Sequence, residues 1–261
     1  MIEAVLLDLD NTLLHLDEKE FISNYLRLLS ASFSDVLSPK DFTNDFLRAT
    51  SAMVRNCSSK TNLEAFFDDF NEFVPTLSKD EVLSRFTSFY SNEYTQLAGL
   101  CTPNPFTKDI IEKLVAMTST KKVLATNPLF PRSAVLERIS WAEIDTGIFD
   151  LITHCENMHC SKPRKEYFLE ICEKIAVKPN SCLMVGNDMT NDIAAGRIGM
   201  ITYLVIDNQT PYFAPIKSLQ KEMSQDEIVA LPDFCGSLKD LLLLFNLASG
   251  CSDQLEERSH K

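Results

Sequence analysis

The sequence predicts an α/β fold, in which a parallel sheet forms the core and an all-helical domain is inserted into it. Two observations predict this fold. A short apolar strand stands at the start of the chain, and strand–helix alternation resumes only after residue 120. The residues between them show helical periodicity and no convincing strand. We therefore expect residues 1–14 and 104–261 to form the core and residues 15–103 to form the helical domain.

The first predicted strand covers residues 3–8, where a continuous apolar run meets polar residues. Further strands are predicted over residues 122–126, 150–153, 181–186 and 201–206. Helices are expected between them, for example over residues 107–117 and around Phe168. The last helix is predicted over residues 238–247, and the polar tail from residue 249 is expected to be frayed.

In the inserted domain, apolar residues recur at helical spacing in three stretches, and start signals agree with them. The apolar positions are Phe21, Tyr25, Leu28 and Leu29, then Phe42, Phe46, Ala49 and Met53, then Val82, Phe86, Phe89 and Tyr90. Ser38 precedes a proline, as at the first position of a helix. Thr61 with Glu64, and Ser78 with Glu81, have the spacing of a capping box.

Composition and charge exclude several classes of protein. The 261 residues carry 37 acidic and 25 basic side chains, a net charge of −12, which argues against broad binding to nucleic acids or anionic membranes. No apolar run approaches the roughly 18 residues of a membrane span, and the N-terminus lacks the pattern of a signal peptide. Eight cysteines follow no disulfide framework, so we expect reduced thiols and a cytoplasmic protein.

Polar residues follow the predicted strands at four places. Asp8 and Asp10 come after the first strand, where one carboxylate could attack a substrate while the other moves a proton. Thr126 and Asn127 end the second strand and could hold phosphate oxygens. Taken alone, these residues could equally be turn or capping residues.

Two further clusters complete the set. Lys162 stands before a proline that is expected to open a helix, near the positive end of the helix dipole. Asp188 and Asp192 follow the strand CLMVG, and oxygen donors without histidine favour Mg²⁺ over zinc. Alone, each cluster has an ordinary interpretation, as a surface lysine or as acids at a helix N-terminus. Together, in this order, they supply what the transfer of a phosphoryl group to a carboxylate requires.

On these residues the sequence resembles the haloacid dehalogenase-like hydrolase superfamily, through DLDNT (residues 8–12), Thr126 after VLA, Lys162 of SKP, and GNDMTND (residues 186–192). The resemblance spans nearly the whole chain. It implies a Rossmann-like core, and it makes the inserted helices a cap between the first and second motifs. It also implies the chemistry of most members, which are Mg²⁺-dependent phosphatases.

The resemblance implies a role for each matching residue. Asp8 would be the nucleophile that forms an aspartyl-phosphate, and Asp10 would act as general acid and then as general base. Thr126 and Lys162 would hold the phosphoryl group, with Asn127 beside them. Mg²⁺ would lie between Asp8, the backbone carbonyl of Asp10 and the acidic segment that contains Asn187, Asp188 and Asp192.

One departure from the family pattern leaves two alternatives. Many relatives have Gly-Asp where this chain has Gly186 and Asn187. Either the amide oxygen of Asn187 contacts the metal, with Asp192 as an outer or water-mediated partner, or Asp188 takes the place of the missing carboxylate. A non-catalytic phosphate-binding module of the same fold, a phosphonatase and a phosphomutase remain alternatives to a phosphatase. The predicted partner is a small phosphorylated metabolite.

One other pattern could bind a metal. His154-Cys155 and His159-Cys160 form HC-x3-HC just before Lys162. Paired CxxC spacing, which is typical of structural zinc sites, is absent. An ordinary loop is therefore the preferred interpretation of this segment.

Overall fold

The computed structural model describes residues 2–72, 74, 76–206 and 231–245. Its strands are β1 (Ala4–Leu7), β2 (Leu14–Leu16), β3 (Cys101–Pro103), β4 (Lys121–Leu124), β5 (Leu151–Ile152), β6 (Cys182–Gly186), β7 (Ile201–Val205) and β8 (Phe234–Gly236). Its helices are α1 (Glu18–Ala31), α2 (Pro39–Arg55), α3 (Asn62–Phe70), α4 (Lys79–Ser91), α5 (Thr107–Ala116), α6 (Arg132–Trp141) and α7 (Lys165–Ile175). Residues 238–245 are also helical.

The core is a six-stranded parallel sheet in the order β5-β4-β1-β6-β7-β8. The central strand β1 is buried along its whole length, because its four residues are apolar and helices cover both faces of such a sheet. Leu7 pairs with Leu124 on one side and with Val185 on the other. The strand order therefore reverses beside β1, with β4 and β5 on one side of it and β6, β7 and β8 on the other. The carboxyl ends of β1, β4 and β6 lie together at this reversal, where open parallel sheets bind ligands.

Helices α1 to α4 lie between β2 and β3, which pair antiparallel with His15 opposite Thr102. The start signals predicted from the sequence are confirmed: Ser38 caps α2 ahead of a proline, and both capping boxes are present. Phe89 of α4 packs against Tyr25 of α1. The other buried rings of the cap contact one another through Phe33, Phe42, Phe66, Phe70 and Phe86. The exact boundaries between core and cap stay a prediction.

A second junction joins the cap to the core, beside the segment that carries Lys162. The backbone N–H of Asn62 donates to the carbonyl of Met158 at 2.8 Å. The side-chain amide of Asn56 donates to the carbonyl of His159 at 2.9 Å. A disulfide between Cys57 and Cys160 crosses the same junction, so the expectation that all cysteines are reduced is wrong. The sequence did not predict this bond because the two cysteines lie 103 positions apart in the chain.

The structure differs from the sequence prediction at a few short elements. Strands β2, β3 and β8 were not predicted, because a three-residue strand is too short to show an alternating pattern. Helix α7 begins at Lys165, so Pro163 lies in the preceding loop rather than opening the helix. Residues 246–247 of the last predicted helix and the tail from residue 249 lie outside the described residues. None of the described helices is long and apolar enough to cross a lipid bilayer.

Candidate active site

Lys162 connects two buried carboxylates at the carboxyl ends of β1 and β6. Its Nζ atom donates to Oδ1 of Asp8 at 2.8 Å and to Oδ1 of Asp192 at 2.6 Å. The Lys162 side chain is only 1% exposed. Burial opposes its charge, but the carboxylates of Asp192 and Asp8 outweigh that effect and raise the pKa of Lys162. The lysine is therefore a fixed positive charge beside Asp8.

Asp192 is held in place from two sides. One of its oxygens accepts the Lys162 bond, and the other accepts from the backbone N–H of Asp188 at 2.9 Å. Burial raises the pKa of Asp192, and the Lys162 ammonium opposes that rise. Gly186, the last residue of β6, makes room for it, since a Cβ at this position would collide with the Asp192 carboxylate.

Acceptor oxygens that follow two strands, β1 and β6, meet at the Thr12 hydroxyl. Its hydroxyl lies 3.4 Å from Oδ2 of Asp8 and 3.2 Å from Oδ1 of Asn187. The carboxylate of Asp188, in contrast, is used by its own turn: it accepts from the backbone N–H groups of Thr190 and Asn191 and from the Asn191 side chain. Asn187 rather than Asp188 thus presents an oxygen to Thr12, whose hydroxyl also contacts Asp8.

Asp10 points to a different partner from Asp8. After β1 the chain turns sharply at Asn11, whose φ of 58° is a left-handed conformation that asparagine tolerates well. Oδ2 of Asp10 pairs with Nη1 of Arg138, a 1%-exposed side chain on α6. Burial raises the pKa of Asp10, and the Arg138 guanidinium opposes this rise. Arg138 was not among the residues singled out from the sequence.

Thr126 lies at the end of β4, next to β1, and is nearly completely buried. Its backbone carbonyl accepts from the hydroxyls of Thr153, at 2.7 Å, and Tyr167, at 2.9 Å. The Tyr167 ring also lies under the Lys162 ammonium, 6.0 Å from Nζ to the ring centroid. Thr153 and Tyr167 therefore support this strand end, and Asn127 follows it directly.

The structure brings Asp8, Lys162, Asp192 and Asn187 together, with Thr12 between two of them. It places Thr126 and Asn127 at the neighbouring strand end, but turns the Asp10 carboxylate toward Arg138 and the Asp188 carboxylate into its own turn. One signal could have revealed Arg138. It shares the buried face of α6 with Ala134, Val135 and Ile139, where an unpaired charge would be costly.

The HC-x3-HC segment does not form a zinc site. Cys160 is bonded to Cys57. His159 Nδ1 lies 2.8 Å from Glu170 and His154 Nδ1 lies 2.7 Å from Glu156, both carboxylates. In the described ranges, no group of three or more His, Cys, Asp or Glu side chains is arranged to hold a metal ion.

Comparison with known proteins places this site in a wider context. The sequence family described as haloacid dehalogenase-like hydrolase matches residues 2–198. A comparison with curated proteins finds no match.

Solved structures share the fold. A haloacid dehalogenase-like phosphatase from Thermococcus onnurineus aligns with a TM-score of 0.54 and 21% identity, over 93% of this chain and 97% of that one. L-2-haloacid dehalogenase from Xanthobacter autotrophicus aligns with a TM-score of 0.51 and 19% identity, over 94% and 99%. A predicted phosphoglycolate phosphatase from Haemophilus somnus 129pt gives 0.53 and 16%, over 93% and 97%. At these identities the alignments establish the fold and leave the reaction open.

Proposed function

Because the chain belongs to the haloacid dehalogenase-like hydrolases, we propose that it is a phosphatase that hydrolyses a small phosphomonoester through an aspartyl-phosphate on Asp8. The contact between Asp8 and Lys162 carries this proposal. A carboxylate can approach a phosphate dianion only where positive charge offsets their repulsion. Lys162 is a buried, permanent cation at hydrogen-bond distance from the attacking group.

The proposed reaction has two steps. A carboxylate oxygen of Asp8 forms a bond to phosphorus while the bond from phosphorus to the ester oxygen breaks, and Asp10 gives its proton to that oxygen. In the second step Asp10 takes a proton from water as the water oxygen attacks phosphorus, which releases inorganic phosphate and restores Asp8. Lys162 and Thr126 hold the phosphoryl oxygens. Positioning and neutralisation of charge supply most of the catalysis.

The residues around Thr12 fit Mg²⁺. This cation prefers hard oxygen ligands and one or two carboxylates, and Asp8 and Asn187 offer a carboxylate and an amide oxygen on either side of one hydroxyl. We propose that Asp8, Asn187 and the backbone carbonyl of Asp10 would hold the ion. Asp188 would hold the turn after β6, and Asp192 would hold the Lys162 ammonium in place without contacting the ion. When bound, the ion would supply further positive charge for the phosphoryl group.

The helical cap argues for a small substrate. Cap and core meet at β2 and β3 and again around Asn62, so the reacting groups lie near the junction of the two parts. A covered site favours a sugar phosphate, a phosphorylated organic acid or a nucleotide over a phosphoprotein. We propose no nucleic-acid or membrane partner, since the net charge is −12. We also propose a cytoplasmic location.

Dehalogenases share this fold, and Asp10 separates the two chemistries. Displacement of a halide needs no proton donor, whereas loss of an alkoxide does. A phosphonatase would need a cap lysine that forms a Schiff base with its substrate. Lys60, one lysine of the cap, is exposed and lies 2.5 Å from Asp68, so it is engaged with a carboxylate. The pairing of Arg138 with Asp10 also gives the second acid a defined place, as an acid–base role requires.

The test uses the purified chain with Mg²⁺ and a panel of phosphorylated metabolites, with 4-nitrophenyl phosphate as the general substrate. We expect the wild type to release phosphate, and Asp8→Asn to lose this activity by a factor of at least about 10³ while it keeps its fold. Cys235→Ser, an exposed thiol remote in sequence from the motifs, is the control. Folded wild type that releases no phosphate from any ester would favour the binding module, and halide release from a 2-haloacid would favour a dehalogenase.

A further inference from the structure

Asp10 uses its two carboxylate oxygens differently. Oδ2 pairs with Nη1 of Arg138. Oδ1 is buried and has no hydrogen-bond partner among the described residues. One oxygen is therefore paired, and the other is buried without a partner in the described part of the chain.

Arg138 is itself held in a fixed place. Its guanidinium lies over the ring of Phe130, with 4.3 Å from Cζ to the ring centroid. The Nε and Nη2 atoms are buried and have no partner in the described part of the chain. The stacked ring and the single carboxylate thus set the orientation of the guanidinium, and through it the orientation of Asp10.

Stability alone gives little reason for such a pair. A buried ion pair seldom stabilises a fold more than well-packed apolar side chains of the same volume would. Two unpaired guanidinium nitrogens make this pair less favourable still. The other buried residues of α6 are apolar, so a leucine or methionine at position 138 would pack better against them.

We propose that Arg138 is a positioning residue, which anchors Oδ2 of Asp10 so that Oδ1 faces the leaving-group oxygen and carries the transferred proton. The inference rests on the proposed phosphatase activity. Arg138 touches neither the substrate nor the attacking carboxylate, and it acts only through Asp10. Its removal should therefore matter most where the leaving group needs a proton.

The chain contains a matched control for this arginine. Arg85, on α4, also pairs with a carboxylate, Asp35, and also lies over a phenylalanine ring, that of Phe33 at 5.5 Å. Arg85 lies on α4 and Asp35 in the turn between α1 and α2, and the contacts of this pair include none of the proposed catalytic residues. The Arg85 pair is more exposed than the Arg138 pair, with 26% of the Arg85 side chain accessible against 1% of the Arg138 side chain. Arg85→Met therefore removes an arginine–carboxylate pair and a ring contact of the same kind without disturbing Asp10.

The experiment compares kcat/KM for 4-nitrophenyl phosphate, whose leaving group departs without a proton, with kcat/KM for ethyl phosphate, whose leaving group needs one. We expect Arg138→Met to reduce the ethyl phosphate value at least about 10-fold more than the 4-nitrophenyl phosphate value. Arg138→Lys should recover part of this selective loss. Arg85→Met should leave the ratio unchanged.

The double variant Asp10→Asn/Arg138→Met decides whether Arg138 acts through Asp10. If it does, the double variant loses no more activity than Asp10→Asn alone. The double variant also leaves no buried carboxylate without its counter-ion, so it can fold even if Arg138→Met alone does not. Equal losses for both substrates, or losses that multiply in the double variant, would overturn the inference. Failure of the proposed function looks different, because the wild type would then hydrolyse neither ester and both proposals would fall.

Discussion

Nζ of Lys162 lies 2.8 Å from Oδ1 of Asp8, although 154 positions separate the two residues in the chain. The same Nζ atom contacts Asp192, so a single cation serves two carboxylates that are almost inaccessible to water. Charged groups this deeply buried stabilise one another only as a set, because each loses its hydration on folding.

Replacement of Lys162 should therefore reduce stability as well as activity. Lys162→Met leaves Asp8 and Asp192 buried without their counter-ion, which we expect to cost about 3–5 kcal/mol in the free energy of unfolding. Denaturant titration measures this loss. Lys162→Met/Asp192→Asn should regain part of it, because only one carboxylate then lacks a partner. If Lys162→Met unfolds at the same denaturant midpoint as the wild type, the lysine does not stabilise the fold by pairing with these carboxylates.

Metal dependence tests the oxygen donors near Thr12. Removal of divalent cations with a chelator should abolish phosphate release, and added Mg²⁺ should restore it. Asn187→Asp adds a carboxylate where the structure places an amide oxygen 3.2 Å from the Thr12 hydroxyl. We expect this variant to need about 10-fold less Mg²⁺ for half-maximal activity. Asp188→Asn provides the comparison, and a larger change in Mg²⁺ requirement there would reassign the ligand to Asp188.

Gly186→Ala tests the close approach between the end of β6 and Asp192. The added Cβ would collide with the Asp192 carboxylate, so we expect a loss of about 1–3 kcal/mol in stability and a fall in kcat as the Lys162 contact shifts. Gly99→Ala is the control, since a Cβ there meets no atom within 4 Å. Thermal unfolding and steady-state kinetics of both variants provide the measurement. Equal behaviour of the two would refute the predicted collision.

The Cys57–Cys160 disulfide should stabilise the junction between cap and core. It closes a loop across a sequence separation of 103, for which the chain-entropy estimate is roughly 4.7 kcal/mol. Because measured effects usually fall below that estimate, Cys57→Ser should lose about 2–4 kcal/mol. Cys235→Ser, at an exposed free thiol, should have little effect. A reductant should lower the unfolding midpoint of the wild type toward that of Cys57→Ser. If it does not, the two thiols are unpaired in solution.

Because cytoplasmic proteins rarely keep disulfides, the same measurement bears on the predicted location.

The amino-acid sequence determined the local features of this protein. Runs of apolar residues predicted the strands of the parallel core, and the capping signals at Ser38, Thr61 and Ser78 marked the starts of α2, α3 and α4. These features depend on contacts between residues a few positions apart, so a single sequence reveals them. The order of polar clusters after the strands likewise predicted that Asp8, Lys162 and the acidic segment after β6 would lie at one edge of the sheet, because parallel strands end at the same edge.

Only the tertiary structure decided how these groups share their partners. It turned Asp10 toward Arg138, turned Asp188 into its own turn, and left Asn187 facing Asp8 by way of Thr12. It also joined Cys57 to Cys160. Some of these contacts join segments that are far apart in the chain, and no sequence pattern marks them as partners. The others depend on which way a side chain turns once its neighbours are packed. Sequence spacing can bring such groups to one edge of a sheet, but burial and competition for partners select the pairs.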